Sequence, residues 1–183
     1  TTLFRSGRLL SLSYGNIIRK PIDSTGGLLP ANFLGYNIIE GGDIVFRMTD
    51  LQNDQHSLRS GLSLERGIIT SAYITTVTYA ETDSRYFNYL FRAYDQLKVF
   101  YNMGSGVRQG INYDVLKRMP LVCPSLLEQQ RIADYLDERC AAIDEIGHTI
   151  EDEVETLRRL RKATIHRAVT KGLDEGVPMR DND

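Results

Sequence analysis

The sequence predicts an α+β protein: a compact mixed head domain, followed by one long C-terminal α-helix that pairs antiparallel with a second helix. Between Leu126 and Lys171 there is no proline and a single glycine, and apolar residues recur at alternating steps of three and four. Before this stretch, short β-branched and aromatic runs alternate with glycine turns. We therefore divide the chain into the head domain (residues 1–124), the long helix (125–172) and a polar tail or linker (173–183).

The head domain mixes short strand and helix signals, without an internal repeat. Helical periodicity in one segment and β-branched residues in others indicate the type of each element. The elements predicted along it are a strand at 43–48 after the Gly41-Gly42 turn, one or two strands at 68–79, a helix at 85–101, a helical turn at 112–118 capped by Asn112, and a short strand at 119–123.

Both ends of the long helix carry ordinary helix signals. Ser125 stands three residues before Glu128, which is a capping box, and Pro124 stops the preceding element. Gly172 follows Lys171, as expected of a residue just past a helix end.

The apolar positions of the long helix form a stripe that we call the heptad seam. A helix of this length reaches about 70 Å, roughly twice the width of a domain built from the remaining residues. The chain therefore cannot bury the whole stripe by itself, and a second helix is required. The seam positions are Ile132, Leu136, Arg139, Ile143, Ile146, Ile150, Glu153, Leu157 and Leu160.

Two seam positions are charged and bear on the polarity of the pair. One interpretation is that Arg139 and Glu153 turn outward at the edges of the seam. The other is antiparallel pairing about Ile146, in which the two residues that face each other across the pair have numbers that sum to 292 or 293. Arg139 then meets Glu153, whereas parallel pairing would oppose like charges. We predict the antiparallel arrangement, with Gly147 at the crossing.

Composition limits the class of protein. Residues 1–124 carry 13 Lys and Arg against 10 Asp and Glu, and residues 125–183 carry 9 against 14. The mildly basic residues 1–124 are compatible with nucleic-acid binding, but phosphate contacts would have to come from local clusters of basic residues. No membrane span or signal peptide is visible, which predicts a cytoplasmic protein. Cys123 and Cys140 are interpreted as buried, reduced thiols.

Three polar segments are candidates for DNA contact, because arginine, glutamine and asparagine side chains match base edges in the major groove. Each also has an interpretation without DNA contact: segment 14–20 could be a simple hairpin, segment 47–59 a solvated loop and segment 104–112 a tight turn. The candidate residues are Arg19 and Lys20 for phosphates in segment 14–20; Arg47, Gln52, Asn53, Gln55 and Arg59 in segment 47–59; and Ser105, Arg108 and Gln109 in the glycine-rich segment 104–112.

No catalytic arrangement is visible in the sequence. There is no glycine-rich nucleotide loop, and His56, His148 and His166 are too far apart for a metal motif. We predict a non-catalytic protein without cofactor or metal.

Several motifs resemble specificity subunits of type I restriction-modification systems. Pro124–Asp137 resembles the opening of the conserved helix of that family, and Ile165–Leu173 resembles its end. Weaker resemblances, informative through their order, link the head domain to the family's target recognition domain: Gly42–Phe46, Ile69–Tyr73, Met103–Gly106 and Leu116–Pro120.

The resemblance implies a function and a set of partners. A full specificity subunit has two recognition domains, each reading one half of a bipartite site in double-stranded DNA, and two antiparallel helices. The helices set the spacer and dock the methyltransferase (modification) subunits, which restriction subunits join, so methylation and cleavage belong to partner subunits. The chain carries half of this pattern.

The chain begins at Thr1 without an initiator methionine, and Val177–Met179 resembles the segment that joins the two halves. An N-terminal half is therefore favoured. A second half, or a natural half-subunit that pairs with itself, stays open. A different class, a coiled-coil adaptor whose head binds protein rather than DNA, is the alternative; steep weakening of DNA binding by salt would exclude it.

Overall fold

The computed structural model describes residues 8–21, 33, 35–53, 56, 58–104 and 110–173. The chain is α+β, as predicted, and divides after Asp134 into two units that are described separately. In order, the elements are β1 (Leu10–Ser13), β2 (Asn16–Arg19), β3 (Asn37–Ile39), β4 (Ile44–Phe46), β5 (Ser60–Leu62), β6 (Gly67–Ile69), β7 (Ile74–Thr76), α1 (Ser84–Gln96), a 3-10 turn (Phe100–Asn102), α2 (Tyr113–Leu116) and α3 (Leu126–Lys171).

The described strands form three small antiparallel sheets. β1 and β2 make a hairpin, β3 pairs with β6, and β4 lies between β5 and β7. The hairpin turn has Tyr14 at φ 45° and Gly15 at φ 79°, the left-handed pair that a tight two-residue turn requires. Leu58 packs so closely on this turn that a Cβ on Gly15 would lie 2.8 Å from it. Segment 14–20 thus forms the turn and the second strand of this hairpin.

Helix α1 covers the three-stranded sheet with its aromatic face. Phe91 meets Phe46 of β4 edge to face, with ring centroids 4.8 Å apart. The predicted helix at 85–101 is confirmed as far as Gln96, and its aromatic residues line the main core; beyond it Leu97 is exposed and a 3-10 turn follows. The buried residues of that core are Ile44, Phe46, Met48, Leu51, Tyr86, Phe87, Phe91, Phe100, Ile111, Leu116, Met119 and Ala133. A smaller core comprises Leu10, Ile39, Val45 and Ile69.

The segment that leads into the long helix is not a strand, so the prediction for 119–123 is wrong. Its carbonyl groups are bound by side chains instead of a neighbouring strand. The hydroxyl of Tyr86 donates to the carbonyl oxygen of Val122 at 2.9 Å, and that of Tyr94 donates to Pro120 at 3.1 Å. Within this segment Met119 is buried in the main core, whereas Leu121 and Val122 are exposed.

The first two turns of α3 are built into the head domain. The amide of Glu128 donates to Ser125 Oγ at 3.4 Å, as the capping motif predicts. Gln129 is buried, accepts from the amide of Asp83 at 2.9 Å and donates to the Pro124 carbonyl at 2.8 Å. Ala133 is fully buried in the main core. The start of the helix is therefore fixed by both polar and apolar contacts.

The second unit continues α3 to Lys171, where Gly172 at φ 73° ends it, as predicted. Within the chain alone, every residue from Glu138 to Arg167 is exposed. Cys123 and Cys140 are also exposed, so the interpretation of both as buried thiols is wrong.

Candidate nucleic-acid interface and helix-pairing surface

Two of the three candidate polar segments are joined at their bases. The amide of Ile111 donates to the carbonyl oxygen of Met48 at 2.8 Å, and both side chains are buried in the main core. A Cβ on Gly110 would lie 3.5 Å from the same carbonyl. The structure therefore sets the end of the glycine-rich segment beside the start of segment 47–59. Ser105, Arg108, Gln109 and Gln55 lie outside the described residues.

Segment 47–59 connects β4 to β5 and is held by its apolar residues. Leu51 is fully buried, while the neighbouring Gln52 and Asn53 are exposed. The Asn53 amide donates to Asp50 Oδ1 at 2.8 Å, and Asp50 has φ 59°. This arrangement presents two amide side chains on a locally fixed backbone.

Arg59 does not lie on this surface, which corrects the prediction that it contacts DNA. Its side chain has no exposed area and donates to the carbonyl oxygens of Thr49 at 3.1 Å and Asp50 at 3.4 Å. Its own amide donates to the buried carboxylate of Asp95 at 3.0 Å. Buried cations need such partners, so Arg59 shapes the loop from within.

Arg47 is half-buried, and its amide donates to the Arg59 carbonyl at 2.8 Å, which closes the base of the β4–β5 connection.

Arg19 and Lys20 lie at the opposite end of the β1–β2 hairpin from its turn. The turn is next to Leu58, whereas Arg19 is separated from Gly15 by the length of β2, about 13 Å. Arg19 binds both oxygens of Glu65, at 2.5 and 2.7 Å, and Arg8 also pairs with this carboxylate. The structure thus separates these two candidates from the joined polar segments.

The Glu65 cluster perturbs its ionisable groups. The hydrogen bond from Arg19, aided by Arg8 and opposed by desolvation, lowers the pKa of Glu65 to about 2. The same bond raises the pKa of Arg19. A phosphate would have to compete with Glu65 for these guanidinium groups, while Lys20 is exposed beside them.

A basic residue missed by the sequence interpretation lies near the polar loop. Lys98, which is exposed, places its ammonium 4.6 Å from the ring centre of Tyr101. The guanidinium of Arg59 lies 5.8 Å from that same ring. Lys98 follows the end of α1 at φ 59°, and its position beside the loop follows from tertiary packing that the helical periodicity does not reveal.

The heptad seam is exposed through the second unit. The exposed fractions of its apolar residues there are 66% for Ile143, 59% for Ile146, 54% for Ile150, 62% for Leu157 and 60% for Leu160. Leu136 is half-buried, and Arg139 and Glu153 are exposed. The Arg139 guanidinium lies 5.3 Å from the Tyr135 ring.

At its first position the seam differs from the prediction. Ile132 packs against the main core of its own head domain, so this residue is already engaged within the chain. A free pairing seam therefore starts after Ala133, which is fully buried there.

The charge pattern around the helix is segregated. With Leu136 as heptad position a, the charged residues between 136 and 163 fall on b, c and f, except Arg139 and Glu153 on d and Arg161 on e. Positions e and g otherwise hold small or neutral residues, namely Cys140, Ala142, Gly147, Thr149, Val154, Thr156 and Ala163. The uncharged face is thus wider than a two-residue stripe.

Neither a metal site nor a membrane segment is apparent in the part of the chain that the structure describes. Its His, Cys, Asp and Glu residues form no group of three or more arranged to hold a metal ion. None of its helices combines the length and apolar character needed to cross a bilayer.

With this geometry in place, similarity to known proteins decides the family. The family model described as "Type I restriction modification DNA specificity domain" matches residues 24–156, more than two thirds of the chain. The chain belongs to this family. The matched region of the specificity domain contains the joined polar segments, the start of α3 and most of the heptad seam.

The specificity domain also resembles solved structures. One of them, from work on the "Structural basis underlying complex assembly and conformational transition of the type I R-M system", matches 94% of this chain at 16% identity and a TM-score of 0.47. The specificity domain spans 44% of that chain, less than half its length. No curated protein matches the sequence.

Proposed function

We propose that this specificity domain reads one half of a bipartite site in double-stranded DNA for a type I restriction-modification complex. The observation that carries the proposal is the joining of two polar segments at Met48 and Ile111 within a domain of the DNA specificity family. It is a non-catalytic subunit, and methylation and cleavage are carried out by partner subunits.

The base-reading residues are proposed to come from the joined segments. Gln52 and Asn53 are exposed, and their amide groups suit adenine edges, while Arg108 and Gln109 have the donors suited to guanine and adenine. Gln55 and Ser105 belong to the same segments, and Lys98 adds positive charge at the Tyr101 ring, close to Arg59 at the end of segment 47–59. The half-buried Arg47 stays a candidate for DNA contact, whereas the buried Arg59 supports the loop from within.

Phosphate contact is proposed for Lys20, with Arg19 as a weaker contributor. Phosphate contacts position a protein on DNA and base contacts specify the sequence. Because Glu65 neutralises part of the charge of Arg8 and Arg19, the hairpin end has a smaller net attraction for DNA than its arginine count indicates.

We further propose that α3 pairs antiparallel with the helix of a second copy or of a second half-subunit. The exposed seam and the opposite charges of Arg139 and Glu153 support this arrangement. It would carry a head domain toward each end of the pair, so that two half-sites are read at a fixed spacing. The width of the uncharged face supports additional helices, which methyltransferase subunits would supply; restriction subunits join that core.

Methylation mapping of host DNA tests the whole proposal. With the protein present and its partner subunits supplied, a bipartite motif is expected to be modified, and the motif should disappear when the gene is removed. Replacing Arg108 or Gln109 by Ala should weaken cognate binding by roughly 1–3 kcal/mol and relax the preference at one position. An unchanged motif in both variants would remove this loop from the reading surface.

Salt dependence separates DNA reading from the alternative, a coiled-coil adaptor with a protein-binding head. Affinity for cognate DNA should fall by about 0.9 log unit per log unit of salt for each phosphate contacted. Lys20→Ala should reduce this slope, whereas Arg66→Ala, at an exposed residue paired with Glu40, is the matched control. Salt-independent binding of DNA, or none in the assembled complex, would favour the adaptor.

A further inference from the structure

The turn of the β1–β2 hairpin carries a tyrosine where Gly, Asn or Asp is the usual residue. Tyr14 lies at φ 45°, a left-handed conformation that is unfavourable for a bulky side chain. Its side chain is 69% exposed, whereas Gly15 beside it is buried. We propose that Tyr14 contacts DNA, with its hydroxyl group donating to a phosphate oxygen within the half-site that segment 47–59 reads. The inference rests on the proposed function of the head domain.

The first reason is that the turn is held in place from several sides. The Arg92 guanidinium of α1 donates to the Gly15 carbonyl oxygen at 2.9 Å and to Asn16 Oδ1 at 3.3 Å. Leu58 packs against Gly15, and a Cβ on Gly61 of β5 would lie 2.9 Å from the Gly15 carbonyl oxygen. Because the backbone of the turn is already fixed, its exposed side chain needs little further ordering when it binds.

The second reason is that α1 holds this turn and the end of segment 47–59 together. Arg92 and Asp95 are three residues apart, so they lie on the same side of the helix. Arg92 binds the turn, while the carboxylate of Asp95 accepts from the Arg59 amide at 3.0 Å. The hairpin turn and the last residue of the segment are therefore anchored within one helical turn of α1.

The third reason is that Arg59 extends this connection to the proposed base-reading residues. Its guanidinium donates to the Asp50 carbonyl oxygen at 3.4 Å, and Asp50 Oδ1 accepts from the exposed Asn53 at 2.8 Å. The five residues from Asn53 to Leu58, which packs on the turn, span at most about 18 Å. Tyr14 thus stands within one helical turn of DNA, about 34 Å, of the Asn53 amide.

The fourth reason is the chemistry of the phenol group. Selective reading of a base edge relies on paired hydrogen bonds, which arginine, asparagine and glutamine make and tyrosine does not. Tyrosine hydroxyl groups are among the usual donors to phosphate oxygens. Since the phenol is uncharged, its contact positions the protein without releasing counterions. In this respect Tyr14 differs from Lys20, whose charge would add to the salt dependence of binding.

The test uses the full chain assembled with its methyltransferase subunits, and a duplex that carries the mapped bipartite motif. Tyr14→Phe removes only the hydroxyl group and should weaken binding about tenfold. Tyr14→Gly should weaken it at least as much, although glycine suits the left-handed turn and should leave the melting temperature equal or higher. Tyr79→Ala is the control, because Tyr79 is 82% exposed beyond β7, at the opposite edge of the sheet from β5.

Two further measurements distinguish a phosphate contact from a base contact or a displaced hairpin. The loss in Tyr14→Phe should be the same at two salt concentrations, and the methylated motif should not change. Native affinity in Tyr14→Phe, a changed motif or a changed salt slope would each overturn the proposal. If the native complex modifies no bipartite motif, the proposed function fails and the Tyr14 contact fails with it.

Arg92 is assigned as a positioning residue that acts on DNA through the hairpin turn. Arg92→Met removes both hydrogen bonds to the turn and should weaken DNA binding. Adding Tyr14→Gly should then weaken binding little further, since both substitutions remove the same contact. Arg92→Lys, which keeps a donor for the Gly15 carbonyl, should recover part of the affinity. Fully additive losses in the double variant would show that Arg92 does not position Tyr14.

Discussion

At the scale of single residues, Arg59 has a structural role that its sequence neighbourhood conceals. It lies in a segment of polar residues, so sequence reasoning assigned it to DNA contact. Its backbone amide binds Asp95 and its guanidinium lies beside the Tyr101 ring, and these residues are 36 and 42 positions further along the chain. Only tertiary packing brings them together, and no local pattern distinguishes a buried arginine from an exposed one in such a loop.

This placement predicts that Arg59→Ala destabilises the protein. The substitution leaves the Thr49 and Asp50 carbonyls without their donor and removes a large, fully buried side chain. We expect the free energy of unfolding to fall by about 3 kcal/mol, measured by urea denaturation.

Two further variants test the cause of this loss. Arg59→Lys should recover part of the stability, because its ammonium keeps the positive charge. It should not recover all of it, because only the planar guanidinium has donors placed to bind both carbonyl groups. Arg66→Ala, on the surface, should change stability by less than about 0.5 kcal/mol. Full stability of Arg59→Ala together with weaker DNA binding would return Arg59 to the reading surface.

The Glu65 cluster predicts a pH dependence at the base of the hairpin. Because Arg19 and Arg8 hold the pKa of Glu65 at about 2, below its usual 4.5, its stabilising effect is complete above pH 4.5. It is lost as the pH falls from 4.5 toward 2. Thermal unfolding across this range should show a smaller dependence on pH in Glu65→Gln than in the native chain.

The control for this experiment is Glu81→Gln, which changes an exposed carboxylate elsewhere on the head domain. It should leave the pH dependence nearly as it is in the native chain. Identical curves for Glu65→Gln and the native chain would mean that the cluster contributes nothing to folding.

At the scale of elements, what could be predicted depended on how local the signal was. The ends of α3 follow from Ser125 and Gly172, and α1 follows from an aromatic periodicity that the main core uses directly. Helix bounds of this kind are encoded within a few residues. The fold class, α+β, could be predicted for the same reason.

Elements that depend on distant contacts were less accessible from the sequence. The expected strand at 119–123 failed because Tyr86 and Tyr94 take the carbonyl groups that a neighbouring strand would have bound. Likewise, Ile132 follows the heptad pattern but packs on its own head domain. In both cases the segment contacts a different part of the molecule from the one that the local pattern indicated.

The candidate DNA surface shows the same limit. The sequence identified the polar segments, because their composition is too polar for a core. It did not reveal that two of them are joined at Met48 and Ile111, nor that the third candidate, at Arg19 and Lys20, lies apart. Lys98 was missed because its proximity to the loop arises through Tyr101 and not through sequence neighbours.

At the scale of the whole molecule, the proposed helix pair connects reading of DNA with assembly. A single head domain would bind one half-site with low affinity. Two linked head domains would bind more tightly, because once one is bound the other is held at a high effective concentration near its own half-site. The polarity of the pair decides where the second head domain stands. Its experimental test is therefore also a test of the proposal that two half-sites are read at a fixed spacing.

The charged seam positions give that test. In an antiparallel pair, Arg139→Glu places a new carboxylate against Glu153 at two symmetric places and should weaken self-association roughly fivefold at low salt. Adding Glu153→Arg restores opposite charges and should restore the affinity. In a parallel pair each position faces itself, so neither variant would change the repulsion.

Arg139→Gln is the control for this pair of variants, because it removes the charge and the contact with the Tyr135 ring without creating repulsion. Sedimentation at two salt concentrations should show that the Arg139→Glu defect is the larger and shrinks more as salt rises, since it combines a lost attraction with a new repulsion and salt screens both. Rescue by the double variant would establish opposite polarity, and a double variant no better than the single one would contradict it.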